Sequence, residues 1–174
     1  MYTKRIVLVM LLMFGISLTV TSQSRKKKKA NEDTNEWKYE IECVGVGVQG
    51  TYLIKVWSYS KSPKVAIEQA KKNAVHGIIF KGFSGNSNGC RTQKPLAQSS
   101  NSEQEFDSFF KSFFSEGGKY MKFVSLSTDG SISAQDRLKV NKKLYKIGVV
   151  VSVRKDELRK DLEDAGIVKK LTSG

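Results

Sequence analysis

An α+β fold, with an antiparallel or mixed sheet of about four strands and helices packed on one face, is what the sequence predicts. Three observations carry that expectation. Runs of alternating apolar residues recur at strand period, and other runs repeat at helical period. Their order is strand, strand, helix, helix, strand, strand, helix. The strands come in two adjacent pairs joined by short turn signals, and such hairpins do not fit a purely parallel sheet. The chain of 174 residues has room for one such domain and too few residues for two ordinary ones.

The domain is expected over residues 37–168, with a short tail at 169–174. Its first strand starts at Trp37, where Trp37, Tyr39, Ile41 and Cys43 alternate with Lys38, Glu40 and Glu42. The phase then shifts to Val44, Val46 and Val48, so a bulge is expected near Cys43 and Val44. Gln49-Gly50 turns the chain into a second strand, Thr51 to Tyr59. A helix follows, opened by Ser60 to Ser62 and Pro63. Ala66, Ala70 and Ala74 stand four apart in it, which suits close packing on a sheet, and Gly77 is the expected end, with Ile78, Ile79 and Phe80 either finishing the helix or forming a short strand before Gly82.

Residues 83–102 are rich in Gly, Ser, Asn and Gln and read as a long loop, either partner-binding or disordered, with composition leaning to disorder. The clearest helix spans Glu103 to Ser115: Phe106, Phe109, Phe110, Phe113 and Phe114 repeat at i, i+3, i+4, i+7 and i+8. Core packing is the first expectation for this stripe, and an exposed docking face is the alternative. Gly117-Gly118 stops the helix. A third strand is expected over Tyr120 to Ser127 and a fourth within Leu138 to Val153. A last helix, Lys155 to Ala165, has Leu158 and Leu162 on one face and Asp156 four residues before Lys160.

The amino-terminal segment is different in kind. Lys4 and Arg5 precede an apolar run from Ile6 to Ile16, and small polar residues follow, the pattern of an export signal cut after Ser22. A retained anchor is the alternative, although Ile6 to Val20 spans only about 22 Å as a helix, against a hydrocarbon core of about 30 Å. Residues 23–36 form a basic polar arm containing Arg25, Lys26, Lys27, Lys28 and Lys29. The first 29 residues hold seven of the 30 basic residues and none of the 17 acidic ones, so the net charge of +13 falls to +6 for the remainder. Export makes a disulfide between Cys43 and Cys90 a candidate, with burial of Cys43 as a small apolar side chain the other outcome.

Motifs for chemistry are sparse. His76 is the single histidine and stands in an apolar helical neighbourhood, where a satisfied structural role is expected rather than a metal ligand or base. Gly85-Asn86-Ser87-Asn88-Gly89 has the Gly-x-Ser-x-Gly spacing, but in a polar loop and not on the strand-to-helix turn of a nucleophile elbow. The glycines from Gly45 to Gly50 lead into a strand rather than the helix a dinucleotide fingerprint requires. No cofactor is therefore expected. The acidic residues of the last helix alternate with lysines and arginines, as on a solvated face. Arg137, Lys139, Lys142, Lys143 and Lys146 form a second basic cluster, suited to an anionic envelope polymer or a membrane surface and less to nucleic acid, which export makes scarce.

The stretch Gly50-Thr51-Tyr52-Leu53-Ile54-Lys55-Val56-Trp57, followed by Ala66-Ile67-Glu68-Gln69-Ala70-Lys71-Lys72-Asn73-Ala74, resembles small bacterial envelope domains of the LPP20 type. The resemblance covers about 30 of the 174 residues. It implies a small α+β domain acting by interaction in an outer-membrane or secretion-type assembly, and it supplies no catalytic residue. No cysteine follows the apolar amino-terminal run, a departure from the lipoprotein pattern. The expected function is thus a non-enzymatic, exported envelope protein that docks a protein partner through the phenylalanine stripe, the long loop or the basic arm. The alternatives are an exported hydrolase with a dispersed acidic or His76 site, and a basic polyanion-binding module.

Overall fold

A computed structural model describes residues 37–48, 50–86 and 89–170. The expected signal segment 1–22, the arm with Arg25 to Lys29 and the last residues of the tail lie outside the described residues. The fold is α+β. Strand β1 (Tyr39–Val46) and strand β2 (Thr51–Ser60) form an antiparallel hairpin, in register from Tyr39 opposite Ser58 to Cys43 opposite Ile54. The register then slips so that Gly45 faces Leu53, which leaves Val44 as the bulge. Helix α1 (Pro63–Phe80) follows, then the short helices α2 (Ser102–Glu105) and α3 (Asp107–Phe113). Two short strands, β3 (Val124–Leu126) and β4 (Arg137–Lys139), precede the long strand β5 (Tyr145–Arg154) and helix α4 (Lys155–Asp164).

β5 pairs along all of β2, from Thr51 opposite Arg154 to Ser60 opposite Tyr145. Its other edge is shared: β3 pairs with Val151 to Val153 and β4 with Tyr145 to Ile147. Every pairing is antiparallel, in the order β1-β2-β5 with β3 and β4 outermost. Because side chains alternate across a sheet, this register fixes two faces. Ile41, Cys43, Ile54, Val56, Ser58, Ile147, Val149, Val151 and Val153 share the face that packs against α1. Ile54, Val56, Ile147, Val151 and Val153 are fully enclosed there, together with Ala66, Ala70, Ala74, Val75, Ile78 and Ile79 of the helix.

The alanines allow a close approach, and Gly77 extends it. A Cβ at Gly77 would overlap Ile41 Cδ1. Gly77 therefore does not end the helix, as its residue type suggests; it lets the helix continue past β1 to Phe80. The stop comes at Gly82, with φ of 65°, whose N–H donates to the Gly77 carbonyl at 2.8 Å.

Three other elements depart from their sequence expectations. The phenylalanine helix is two pieces, broken at Phe106 with φ −109° and ψ 32°. The segment expected as a third long strand begins as a 3-10 turn, Lys119–Phe123, because Tyr120 and Phe123, three apart, both face the core. Strand remains only at β3. The fourth expected strand is split by a turn in which Asn141 Oδ1 accepts from the N–H groups of Lys143 and Leu144, each at 2.9 Å.

The described part of the 83–102 loop is anchored rather than loose. Phe83 and Gln93 exchange two backbone hydrogen bonds of 2.9 Å, and the N–H groups of Leu96 and Ala97 donate to the Ile78 and Ile79 carbonyls. Phe83, Cys90, Leu96 and Ala97 are buried. Cys90 is joined to Cys43 by a disulfide with Cα atoms 6.2 Å apart, tying the loop to β1. A few separated apolar anchors do here what a continuous pattern does elsewhere, so composition alone misses the order.

Candidate functional site

Two constellations stand out, one enclosed by the helical layers and one on the opposite face of the sheet. The enclosed one centres on His76 of α1. Tyr39 Oη lies 2.5 Å from His76 Nδ1, and His76 Nε2 lies 3.3 and 3.4 Å from the two Glu103 carboxylate oxygens. The Trp37 ring stacks on the imidazole with centroids 3.5 Å apart, and Phe80 and Phe114 close the surroundings. Burial, and then the Glu103 charge, pushes the Tyr39 hydroxyl well above the usual phenol range, so Tyr39 remains protonated and donates to Nδ1. The imidazole proton is then on Nε2 and is donated to Glu103. Burial holds the His76 pKa below its ordinary value, while the hydrogen bond from His76 holds the Glu103 carboxyl below the ordinary carboxylate value.

A general base needs a free nitrogen facing its substrate. Both nitrogens of His76 are occupied, one by a phenol that is itself buried. The arrangement is that of a satisfied buried histidine locking β1, α1 and α2 together. Trp37, with φ of 46°, forms one wall of a shallow cleft of about 360 Å³ beside it, shared with Lys72, Glu103, Asp107, Phe110 and Phe114.

The candidate docking phenylalanines belong to the same layer. Phe110, Phe113 and Phe114 are buried, and Phe106 and Phe109 are half-buried against the core. Phe109, Phe110, Phe113 and Phe114 pack edge-on and stacked with one another and with Phe80 and Phe123, at centroid distances of 4.9 to 6.3 Å. Phe110, Phe113 and Phe114 therefore belong to the core, while Phe106 and Phe109 keep part of their surface accessible. Four of the five acidic residues of α4 are taken up by cations: Glu157 by Arg154, Asp156 by Lys155 rather than Lys160, Glu163 by Arg159 and Asp161 by Lys119. No cluster of three metal-binding side chains occurs among the described residues.

The opposite face of the sheet shows Leu53, Lys55, Trp57 and Tyr59 of β2 between Glu40 and Glu42 of β1 and Lys146, Gly148, Val150 and Ser152 of β5. Trp57 lies flat over Gly148: a Cβ there would meet three indole carbons at 3.0 to 3.1 Å. Lys55 and Lys146 place their ammonium groups 5.5 and 5.3 Å from the indole centroid. Each lysine is held in turn, Lys55 by Asp136 at 2.6 Å and Lys146 by Glu40 at 2.7 Å. The Glu40 hydrogen bond raises the Lys146 pKa. The result is an ordered aromatic centre with a charged rim.

Of the other basic residues singled out in the sequence, Arg137 stacks its guanidinium 4.8 Å from the Tyr145 centroid, while Lys139, Lys142 and Lys143 are exposed around the β4–β5 turn. The Trp57 bracket escapes sequence reading because its parts lie on three strands. The local signals were Lys55 two residues before Trp57, and a glycine inside an otherwise β-branched strand. No protein-family model matches the chain, and no curated protein or solved structure does either. No described helix is long and apolar enough to cross a membrane.

Proposed function

We propose that the protein is a non-enzymatic, exported envelope component that binds a protein partner on the open face of its sheet. The observation that carries this reading is Trp57, bracketed by two lysines at the centre of a face that no α-helix covers and that the 128–136 segment overlies only beside β5. Antiparallel sheets tolerate one solvated face, normally written in polar residues. Here the face holds an aromatic plate, Leu53 and the exposed Tyr59 inside a rim of ion pairs. That is the anatomy of a protein interface, an apolar aromatic anchor surrounded by polar groups. Pre-ordering of Lys55 and Lys146 lowers the entropy cost of binding. The Cys43–Cys90 disulfide supports an oxidising compartment.

The test is photo-crosslinking in the native cells, with the probe residue placed at Tyr59 on the open face or at Ser108 on the helical side. One discrete adduct with a different protein, formed from Tyr59, absent from Ser108 and lost on adding Trp57→Ala, is the expected result. Equal labelling from both positions, no adduct from Tyr59, or an adduct with a second copy of this chain would overturn the reading. A denaturation curve for Trp57→Ala separates lost binding from lost folding.

A further inference from the structure

The β4–β5 hairpin, residues 137–146, is the most one-sided stretch of charge among the described residues. Arg137, Lys139, Lys142, Lys143 and Lys146 occur in ten positions with no acidic residue between them. Lys146 is neutralised by Glu40. Among the described residues Lys139, Lys142 and Lys143 enter no ion pair, all three are exposed, and Lys61 emerges at the same end of the sheet, one residue past Ser60, which pairs with Tyr145.

Lysines on an edge strand such as β4 are sufficiently explained as a guard against edge-to-edge pairing. Leu138 and Val140 are not, because aliphatic side chains left in water work against that guard. They are 48% and 51% exposed. Leu138 stands opposite Lys146 on the open face of the sheet. The tip is also ordered: Val140 N–H donates to the Leu144 carbonyl at 2.9 Å, and Asn141 Oδ1 closes the turn around Lys143 and Leu144. Exposed aliphatics, a collar of unpaired cations and a rigid tip occur together.

We propose that this hairpin docks the domain on an anionic lipid surface, with Leu138 and Val140 entering the headgroup layer and Lys139, Lys142 and Lys143 meeting lipid phosphates. A soluble polyanion would engage the cations alone; the apolar pair is what favours a membrane. The inference does not depend on a protein partner for Trp57, although Leu138 borders the same open face through Lys146.

Hydrogen exchange of the full-length protein, read on the peptide covering 137–146 with and without vesicles, tests it locally, whatever the amino-terminal segment does. Protection is expected with phosphatidylglycerol-containing vesicles and not with phosphatidylcholine vesicles. Lys139→Gln with Lys142→Gln and Lys143→Gln should raise the lipid concentration for half-protection on the order of a hundredfold, from about 1 kcal/mol per lysine. Leu138→Ser with Val140→Ser should abolish the protection that survives high salt. Unchanged exchange with anionic vesicles would overturn the proposal. So would equal protection by soluble polyphosphate that is indifferent to the Leu138 and Val140 substitutions.

Discussion

The two faces of β2 differ residue by residue along a single strand. Ile54, Val56 and Ser58 point into the helical layer and are essentially inaccessible, whereas Leu53, Lys55, Trp57 and Tyr59 point away from it and remain accessible. The covered face gains its energy from burial and close packing, which is non-directional and needs only size and shape to match. The open face is organised by directional interactions: a ring over a glycine, two ammonium groups beside that ring and two carboxylates beside those. The covered face makes the fold, and the open face carries the proposed recognition site. Substitutions should therefore separate along this line.

The largest effects belong to the covered side. Phe113→Ala should cost about 3–5 kcal/mol, seen as a lower urea midpoint, whereas Phe109→Ala, half-buried, should cost clearly less. Equal losses at the two positions would mean that the phenylalanine layer is not packed as described. Ile54→Ala should cost about 2–5 kcal/mol. Removing the Cys43–Cys90 bridge by paired serine substitution should cost about 2–4 kcal/mol, since it closes a loop spanning 47 residues, with the loop anchored at Leu96 and Ala97 exchanging its amide protons sooner.

Acid should loosen the covered side in particular. The folded His76 pKa is below its unfolded value of about 6.5, so the unfolded chain binds more protons as pH falls through that value, and stability falls with it. Glu103, also held below its unfolded value, adds a loss in the same direction at lower pH. Denaturation midpoints measured from neutral to acidic pH should decline, and His76→Gln should flatten the first part of the decline. The smallest effect is expected on the open face, where Lys146→Gln should change stability by about 0–1 kcal/mol while weakening the hold on Trp57.

How much of this was legible in the sequence also divides by face. Alternation in β1 and β2, the bulge after Cys43, the alanine spacing of α1 and the leucine pair of α4 are local patterns with one physical meaning, and the α+β architecture follows from them. Phe106 to Phe114 had two meanings, core or docking, because periodicity reports a stripe and not what covers it. α1 lies under that stripe and decides the matter. Gly77 looked like a terminator because a close approach to Ile41 involves a strand more than 30 residues away. The open-face site was the least legible: Trp57, Gly148, Asp136 and Glu40 meet only through the sheet register.

The most direct test of the central claim compares two neighbouring positions of β2 in the same protein, Val56→Ala on the covered face and Trp57→Ala on the open one. Each variant is measured for its urea midpoint and for crosslinking from Tyr59. Val56→Ala is expected to lower stability at unchanged crosslinking under conditions where it stays folded, and Trp57→Ala to lose the crosslink with the smaller change in stability. A Trp57→Ala variant that unfolds while Val56→Ala does not, or that keeps its crosslink intact, would contradict the division of the sheet into a structural face and a recognition face.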